Sequence, residues 1–412
     1  MGTLIIADNL TGAAGTGVKF AGLGPVKLAG LGGAPLSSAP GALALDAGTR
    51  NRQACEIPAV LAGIKPFLGA WRPRLVFQKI DSCLRGHPGL ETGILTSLLD
   101  FRCALVAPAD PGLGRTTVRG VHLVGGRPVH LVGSAGKSPG RAADSRLKNI
   151  LGLDNDLPVG ELGIDLVRSG PEAVRAAVAG RVESGGRLIL ACDAETDDDL
   201  ASLAEGAAPL AGDVLFAGSA GFAAALMETL PASHDWLKDD YHPPVPDAPS
   251  AFFGGSASPR LREQLGILAS GLGAEVVTVR PASLFDGPGP AIPPSSPGLP
   301  LILTVPPPSA DPASAARYPG REVAARFGRL AADLVGNRRY GTVFISGGET
   351  ARATLTGLGH ADVLLRAELS PGVVHMSAGA LSVLSKSGDF GEPDILLRLY
   401  EELRGEAPPG LV

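Results

Sequence analysis

Short apolar runs recur along this 412-residue chain, each closed by a turn rich in glycine, serine or aspartate and then followed by a helical pattern. In the first half they are Leu4–Ala7, Val26–Ala29, Ala42–Leu45, Leu75–Ile80, Ala104–Ala107, Leu188–Ala191 and Val214–Ala217. Phe252–Phe253, Val276–Val279, Leu301–Val305, Thr342–Ile345 and Ser382–Leu384 follow in the second half. A strand that is apolar without alternation is buried on both faces, and strands that alternate with helices are joined by crossovers. The pattern therefore predicts an α/β protein with mostly parallel sheets. His122–His130 (HLVGGRPVH) departs from it: two short runs flank Gly125-Gly126, which predicts a hairpin.

The length exceeds what one hydrophobic core usually organises, so two α/β domains are expected. Asp239–Ser250 (DDYHPPVPDAPS) is proline-broken and poor in apolar residues, which places the boundary there. The expected division is an N-terminal domain over 1–240, a linker over 241–250 and a C-terminal domain over 251–412. Hydrophobic residues at 45% suffice for two cores. The formal charge of −5 argues against a nucleic-acid surface, which normally carries a basic excess. It leaves room for a small anionic substrate, which needs only a few local cations. Four scattered cysteines show no CxxC pair or metal spacing, as expected of reduced structural thiols. The start MGTLIIADNL has no basic segment before its apolar run, and no apolar stretch reaches the roughly 18 residues of a membrane span. A cytoplasmic protein without a membrane partner is expected.

In open α/β sheets ligands bind where strand carboxyl ends lead into helix N-termini, so those junctions are where chemistry is to be sought. Asp8 and Asn9 follow the first strand with Thr11 close behind, a set that can orient a polyol or simply form an Asx-turn and helix cap. The fourth strand ends in Lys79-Ile80-Asp81-Ser82, with Arg85 in the turn beyond. Arginine suits two-point binding of a carboxylate or phosphate and lysine supplies a point charge, although a surface salt-bridge cluster would look the same in sequence. The second half has three glycine-serine junctions: Gly255–Pro259 with Ser256 and Ser258, Ser346–Thr350 with Gly347, Gly348 and Glu349, and Ser385–Pro393 with Gly388 and Gly391. In the first and third, Pro259 and Pro393 are expected to open helices. Each junction can be an ordinary helix cap, but three together predict a phosphate-binding nucleotide site. Gly133–Ser138 (GSAGKS) ends like a P-loop, yet the motif needs glycine at Leu131 and Pro139 follows, so that reading is discarded. Asp389-Phe390-Gly391 lacks the companion motifs of a protein kinase.

Taken in order, eight segments resemble the four-carbon acid sugar kinase family over essentially the whole chain. They are 6–15 (IADNLTGAAG), 79–86 (KIDSCLRG), 106–128 (VAPADPGLGRTTVRGVHLVGGRP), 193–200 (DAETDDDL), 217–220 (AGSA), 255–259 (GSASP), 347–350 (GGET) and 386–391 (KSGDFG). The resemblance implies ATP-dependent phosphorylation of a terminal hydroxyl on a threonate, erythronate or 3-oxo-tetronate. It implies an N-terminal domain that holds the sugar acid and a C-terminal domain that holds ATP. Carried over by position, Asp8, Arg50 and Lys79 through Ser82 contact substrate. Ser258, Gly347, Gly348, Glu349, Thr350 and a glycine of Gly388–Gly391 contact nucleotide.

The chain departs from the family where the second aspartate is Asn9 and a later one is Gly15. Three readings follow: a four-carbon acid kinase, a kinase for another small hydroxy acid, or an impaired relative that binds without turnover. For the first, Arg50, Lys79 and Arg85 hold the substrate carboxylate, and Asp8 or Asp81 orients or deprotonates the hydroxyl. Mg²⁺ bridges the ATP phosphates, and closure about the linker excludes water. A homodimer is compatible with a metabolic enzyme of this size.

Overall fold

The computed structural model describes residues 2–31, 41–68, 71–132, 144–231, 250–287, 289–294, 296, 298–360 and 362–405. Residues 241–249 of the expected linker and the discarded Gly133–Ser138 segment lie outside them. The chain divides into two compact units, Met1–Asp235 and Trp236–Val412.

The N-terminal unit contains β1 (Thr3–Ala7), β2 (Val26–Gly30), β3 (Ala42–Asp46), β4 (Leu75–Lys79), β5 (Cys103–Ala107), β6 (Arg115–Val118), β7 (Val121–Val124), β8 (Arg127–Pro128), β9 (Val159–Leu162), β10 (Leu188–Cys192) and β11 (Val214–Gly218). Eight of them form a parallel sheet in the order β2-β3-β1-β4-β11-β5-β10-β9. One face packs Ile6, Val76, Ile80 and Ala217 against Ile57, Leu61, Leu95 and Ile150 from three helices. The other carries a chain of aromatic contacts, Phe20–Phe77–Phe222–Phe216, with ring centroids 6.0–6.3 Å apart. Burial on both faces is why these strands read as unbroken apolar runs.

The expected hairpin forms as β7 and β8, with Gly125 and Gly126 both at positive φ, and β6 extends it to three antiparallel strands. The sequence reading missed β6 and β9. Three of the four residues of Arg115–Val118 are polar, and Val159–Leu162 is an edge strand with Gly160 and Glu161 inside it.

The C-terminal unit contains β12 (Ser250–Gly254), β13 (Val276–Thr278), β14 (Leu301–Thr304), β15 (Thr342–Ser346), β16 (Asp362–Ser370), β17 (Val373–Ala378) and β18 (Leu381–Lys386). Its order is β13-β14-β12-β15-β18-β17-β16, parallel from β13 to β18, with β17 antiparallel to both neighbours. Phe252 and Phe344 stack on one face beneath the helices Pro259–Leu272 and Ile395–Leu403, and Phe253 meets Phe327 on the other. The last helix starts at Ile395 with Asp394 as its N-cap, so Pro393 precedes it rather than opening it.

The two units share a connection rule. In each, the first strand lies beside the third and fourth while the second goes to the far side of the third, giving β2-β3-β1-β4 and β13-β14-β12-β15. The chain reverses its direction of travel beside β1 in one unit and beside β12 in the other. Such a reversal opens a crevice at the strand carboxyl ends.

Candidate functional site

In the N-terminal unit the crevice is lined from three adjacent strands. Ala7 is in register with Asp46 on one side and Lys79 on the other, so the segments leaving β1, β3 and β4 emerge side by side. Ala47 and Arg50 donate their backbone N–H groups to the carbonyls of Ala7 and Asp8, at 2.8 and 3.1 Å, which folds the β3 loop over the end of β1. The Arg50 guanidinium then forks onto Asp8, Nε to Oδ2 at 2.6 Å and Nη2 to Oδ1 at 2.8 Å. Its Nη1 lies 3.4 Å from Asp81 Oδ1.

Asp81 is gripped by Arg85 as well, at 2.7 and 2.9 Å, and accepts from the backbone N–H groups of Cys83 and Arg85. Burial favours its neutral form, but Arg50 and Arg85 outweigh it and hold the carboxyl well below the usual carboxylate range. Asp8 and Asp81 are only 4% and 7% exposed, so this is not a surface salt-bridge cluster. Lys79 donates to the carbonyl of Ile80, and burial lowers its ammonium below the usual lysine range against the pull of Asp8 and Asp81.

Other expected residues take different places. Ile80 sends its side chain into the core and offers the site only its backbone. The Ser82 carbonyl accepts from His122 Nε2 at 2.8 Å, while His122 Nδ1 lies 2.9 Å from the Thr117 hydroxyl. A carbonyl only accepts, so Nε2 carries the proton and Nδ1 accepts from Thr117. Burial pushes this imidazole down to about 4, which keeps it neutral. Asn9 is the N-cap of the helix Leu10–Gly17, its Oδ1 accepting from Gly12 N at 2.8 Å.

Sequence reasoning missed Glu91, which is 5% exposed in the helix Pro88–Leu98. Burial, with the Asp8 charge near, pushes its carboxyl up to about 8. A lone glutamate in an amphipathic helix gives no warning of this; the signal would have been a charge on the face that carries Leu95.

In the C-terminal unit all three expected junctions meet. Gly255 N donates to Ser346 O at 2.9 Å and Gly347 N to Lys386 O at 3.3 Å, which ties the ends of β12, β15 and β18 together. A Cβ on Gly255 would sit 1.9 Å from Thr350 Oγ1, and one on Gly388 2.2 Å from Ser256 Oγ. Only glycine allows these backbones to approach so closely. Ser256 Oγ accepts from Ser258 N at 3.3 Å.

Two helices begin here, Pro259–Leu272 after Ser258 and Gly348–Gly357 after Gly347, and neither has a side-chain cap. Ser258 Oγ is buried without a hydrogen-bond partner among the described residues. Uncapped N–H groups with the positive ends of two helix dipoles suit an anion. Glu349 lies 3.9 Å from Arg321 and from Arg352. Thr350 is fully buried and turned toward Ala324 O at 3.4 Å, so its side chain supports Gly255 from below. Gly391, at positive φ, packs on Ile395.

Lys386 and Gln264 were not anticipated. Lys386 is 3% exposed, and its Nζ donates to Gln264 Oε1 at 2.8 Å. Gln264 Nε2 in turn faces the carbonyls of Phe390, Gly391 and Glu392 at 2.9–3.1 Å, so the pair fixes the Gly388–Gly391 loop. Burial brings the Lys386 ammonium down to about 8.

Comparison with known proteins assigns the same division of labour. Residues 3–226 match a family described as a sugar-binding N-terminal domain, and residues 252–396 one described as a nucleotide-binding C-terminal domain. A D-threonate kinase of Cupriavidus necator is 31% identical, covering 99% of this chain and 100% of that protein. A D-threonate kinase of Salmonella typhimurium is 27% identical over 96% of this chain and 97% of its own length. A 3-oxo-tetronate kinase of Cupriavidus necator is 29% identical over 79% and 77%. A solved Salmonella typhimurium structure described as a putative tRNA synthase superposes with a TM-score of 0.78 over 97% of this chain and 99% of that one; at 21% identity it bears on the fold alone. With both domains matched and a relative of this identity aligned end to end, the chain belongs to the four-carbon acid sugar kinase family.

Proposed function

We propose that this protein is an ATP-dependent kinase that phosphorylates a terminal hydroxyl of a four-carbon sugar acid, with D-threonate the first candidate. The observation that carries the reading is the buried set at the carboxyl ends of β1, β3 and β4, in which two aspartates and two arginines interlock beside Lys79. Arg50, Lys79 and Arg85 bind the substrate carboxylate, which needs cations held in a fixed place. Of the two aspartates left open by the sequence, Asp81 is spent: two arginines and two backbone N–H groups occupy it and make it a very weak base. Among the described residues Asp8 is forked by Arg50 alone and retains lone pairs, so it orients the attacking hydroxyl and receives its proton.

As the hydroxyl oxygen bonds to the γ-phosphorus, the bond from that phosphorus to the β-γ bridging oxygen breaks and ADP departs. The nucleotide phosphates lie against the uncapped N-termini after Ser258 and Gly347, with the Ser258 hydroxyl among their donors. Among the described residues no group of three His, Cys, Asp or Glu could cage a metal ion. That fits Mg²⁺ carried on the phosphates with few protein ligands, where it would neutralise their charge. Among the described residues no helix is long and apolar enough to cross a membrane.

A coupled ADP-release assay with Mg·ATP tests the reading on D-threonate, L-threonate, D-erythronate, 3-oxo-tetronate and glycerate. Turnover with at least one four-carbon acid is expected. No turnover with any of them overturns the proposal, and turnover with glycerate alone transfers it to another hydroxy acid.

A further inference from the structure

The row of strand ends in the N-terminal unit continues past Lys79. Lys79 is in register with Gly218 of β11, and Gly218 with Ala107 of β5, so the segments after β11 and β5 leave the same edge of the sheet. The β5 segment carries Asp110, on the opposite side of β4 from Asp8. From β4 to β5 is two strand spacings, about 10 Å, which a four-carbon chain and two side chains can span.

Asp110 is held in place from both sides. Its backbone N–H donates to Arg115 O at 2.8 Å and its carbonyl accepts from Arg115 N at 3.0 Å. The Ser219 hydroxyl donates to the carbonyl of Ala109, and Ser219 N to that of Ala107 at 3.2 Å, so the preceding segment is fixed as well. The carboxylate lies over the first turn of the helix Ala220–Glu228, with Oδ1 3.5 Å from where a Cβ on Gly221 would sit.

The charged groups facing it are Lys79 from β4, Arg115 from β6 and Asp197 from the helix Asp197–Ala207. Arginine forks occupy Asp8 and Asp81, whereas Asp110 has no ion pair among the described residues. Arg115 donates to Leu113 O at 2.6 Å, and its buried Nε has no hydrogen-bond partner among the described residues. The Asp110 carboxylate accepts from the backbone N–H of Gly221, and with no arginine fork on it among the described residues it keeps lone pairs for a further donor at the edge where substrate is held.

We infer that Asp110 is a specificity-determining residue of the sugar-acid site, its carboxylate accepting a hydrogen bond from a secondary hydroxyl of the bound acid. The inference rests on the sugar-acid kinase reading above and adds to it a contact beyond Lys79. Burial raises the Asp110 carboxyl above its ordinary range, against Lys79 and Arg115, so each hydrogen bond it gains in the complex counts for more.

The test compares kcat/KM for the best four-carbon acid with that for its 2-deoxy and 3-deoxy forms, in the wild type, Asp110→Ala and Asp110→Asn. Losing a hydrogen bond to a charged group costs roughly tenfold to a hundredfold. The wild type is expected to lose this much on one of the two deoxy acids, and Asp110→Ala less than threefold on the same one. Asp110→Asn, close to isosteric, is expected to fall between them and serves if the alanine variant folds poorly. KM for ATP should stay within twofold throughout, which a general structural defect would not allow. If the variants discriminate against both deoxy acids as strongly as the wild type, the inference is overturned while the kinase reading stands. If the wild type turns over no four-carbon acid, the kinase reading falls and takes this inference with it.

Discussion

Arg50 closes on Asp8 with two parallel contacts, Nε to Oδ2 and Nη2 to Oδ1, and its remaining nitrogen reaches toward Asp81. One planar fork therefore spaces the two carboxylates, which a lysine cannot do with a single nitrogen. Arg50→Lys is expected to lower kcat/KM for the sugar acid by about a hundredfold while KM for ATP stays within twofold. Arg50→Met leaves Asp8 buried without its partner and should cost about 3–5 kcal/mol in urea unfolding. Unchanged kinetics in the lysine variant would remove Arg50 from the substrate site.

Gly255 offers a matching test of the nucleotide half. A Cβ there falls 1.9 Å from Thr350 Oγ1 and 2.7 Å from Thr350 Cβ, and Thr350 is fully buried. The backbone has to move, at a cost of about 1–3 kcal/mol for an overpacked site. It moves in the loop that presents Ser256 and Ser258. Gly255→Ala should raise the dissociation constant for ATP at least tenfold by calorimetry and leave sugar-acid binding without nucleotide within threefold. Equal loss of both ligands would mean that the change disrupts more than the nucleotide loop.

Most of the fold was legible because strands buried on both faces must be apolar throughout, and every run named from the sequence forms a strand. The missed strands β16 and β17 sit where hairpin signals were overlooked. Pro371-Gly372 and Gly379-Ala380 are two-residue connections, with both glycines at positive φ, and they turn the chain antiparallel. In the site, Asp8, Lys79, Asp81 and Arg85 were readable because strand ends are short in sequence and close in space. Glu91, Asp110, Gln264 and Lys386 were not, since each becomes notable only through burial or through partners far away in the chain. Gln264 and Lys386, for example, are joined across 122 positions.

Glu91 makes stability depend on pH in the sense opposite to a paired carboxylate. Its folded value is raised from 4.5 to about 8, so between these values the native state holds a proton that the unfolded chain has released. Its contribution is therefore present below the unfolded value and lost as pH rises through the folded one. Glu91→Gln cannot ionise. It should match the wild type at pH 4.5 and exceed it by on the order of 3 kcal/mol at pH 8.5 in urea unfolding. A difference that does not vary with pH would show that Glu91 is ionised in the folded protein throughout.

Asn9 stands where the family pattern has an aspartate, and its side chain already has an assignment. Oδ1 accepts from Gly12 N at 2.8 Å, and the extended backbone at Asn9, φ −154° and ψ 162°, is that of a helix N-cap. Asparagine and aspartate fill such a position about equally well, and alanine forfeits about 1 kcal/mol. If the position serves the helix start, Asn9→Asp should leave kcat within threefold of the wild type and Asn9→Ala should lower stability by about that amount. If the position supplied the base, the aspartate variant would instead raise kcat tenfold or more, with a new acidic limb in the pH–rate profile. The proton-accepting role proposed for Asp8 requires the first result, and Asp8→Asn, which keeps the shape but not the charge, should then abolish turnover in either background.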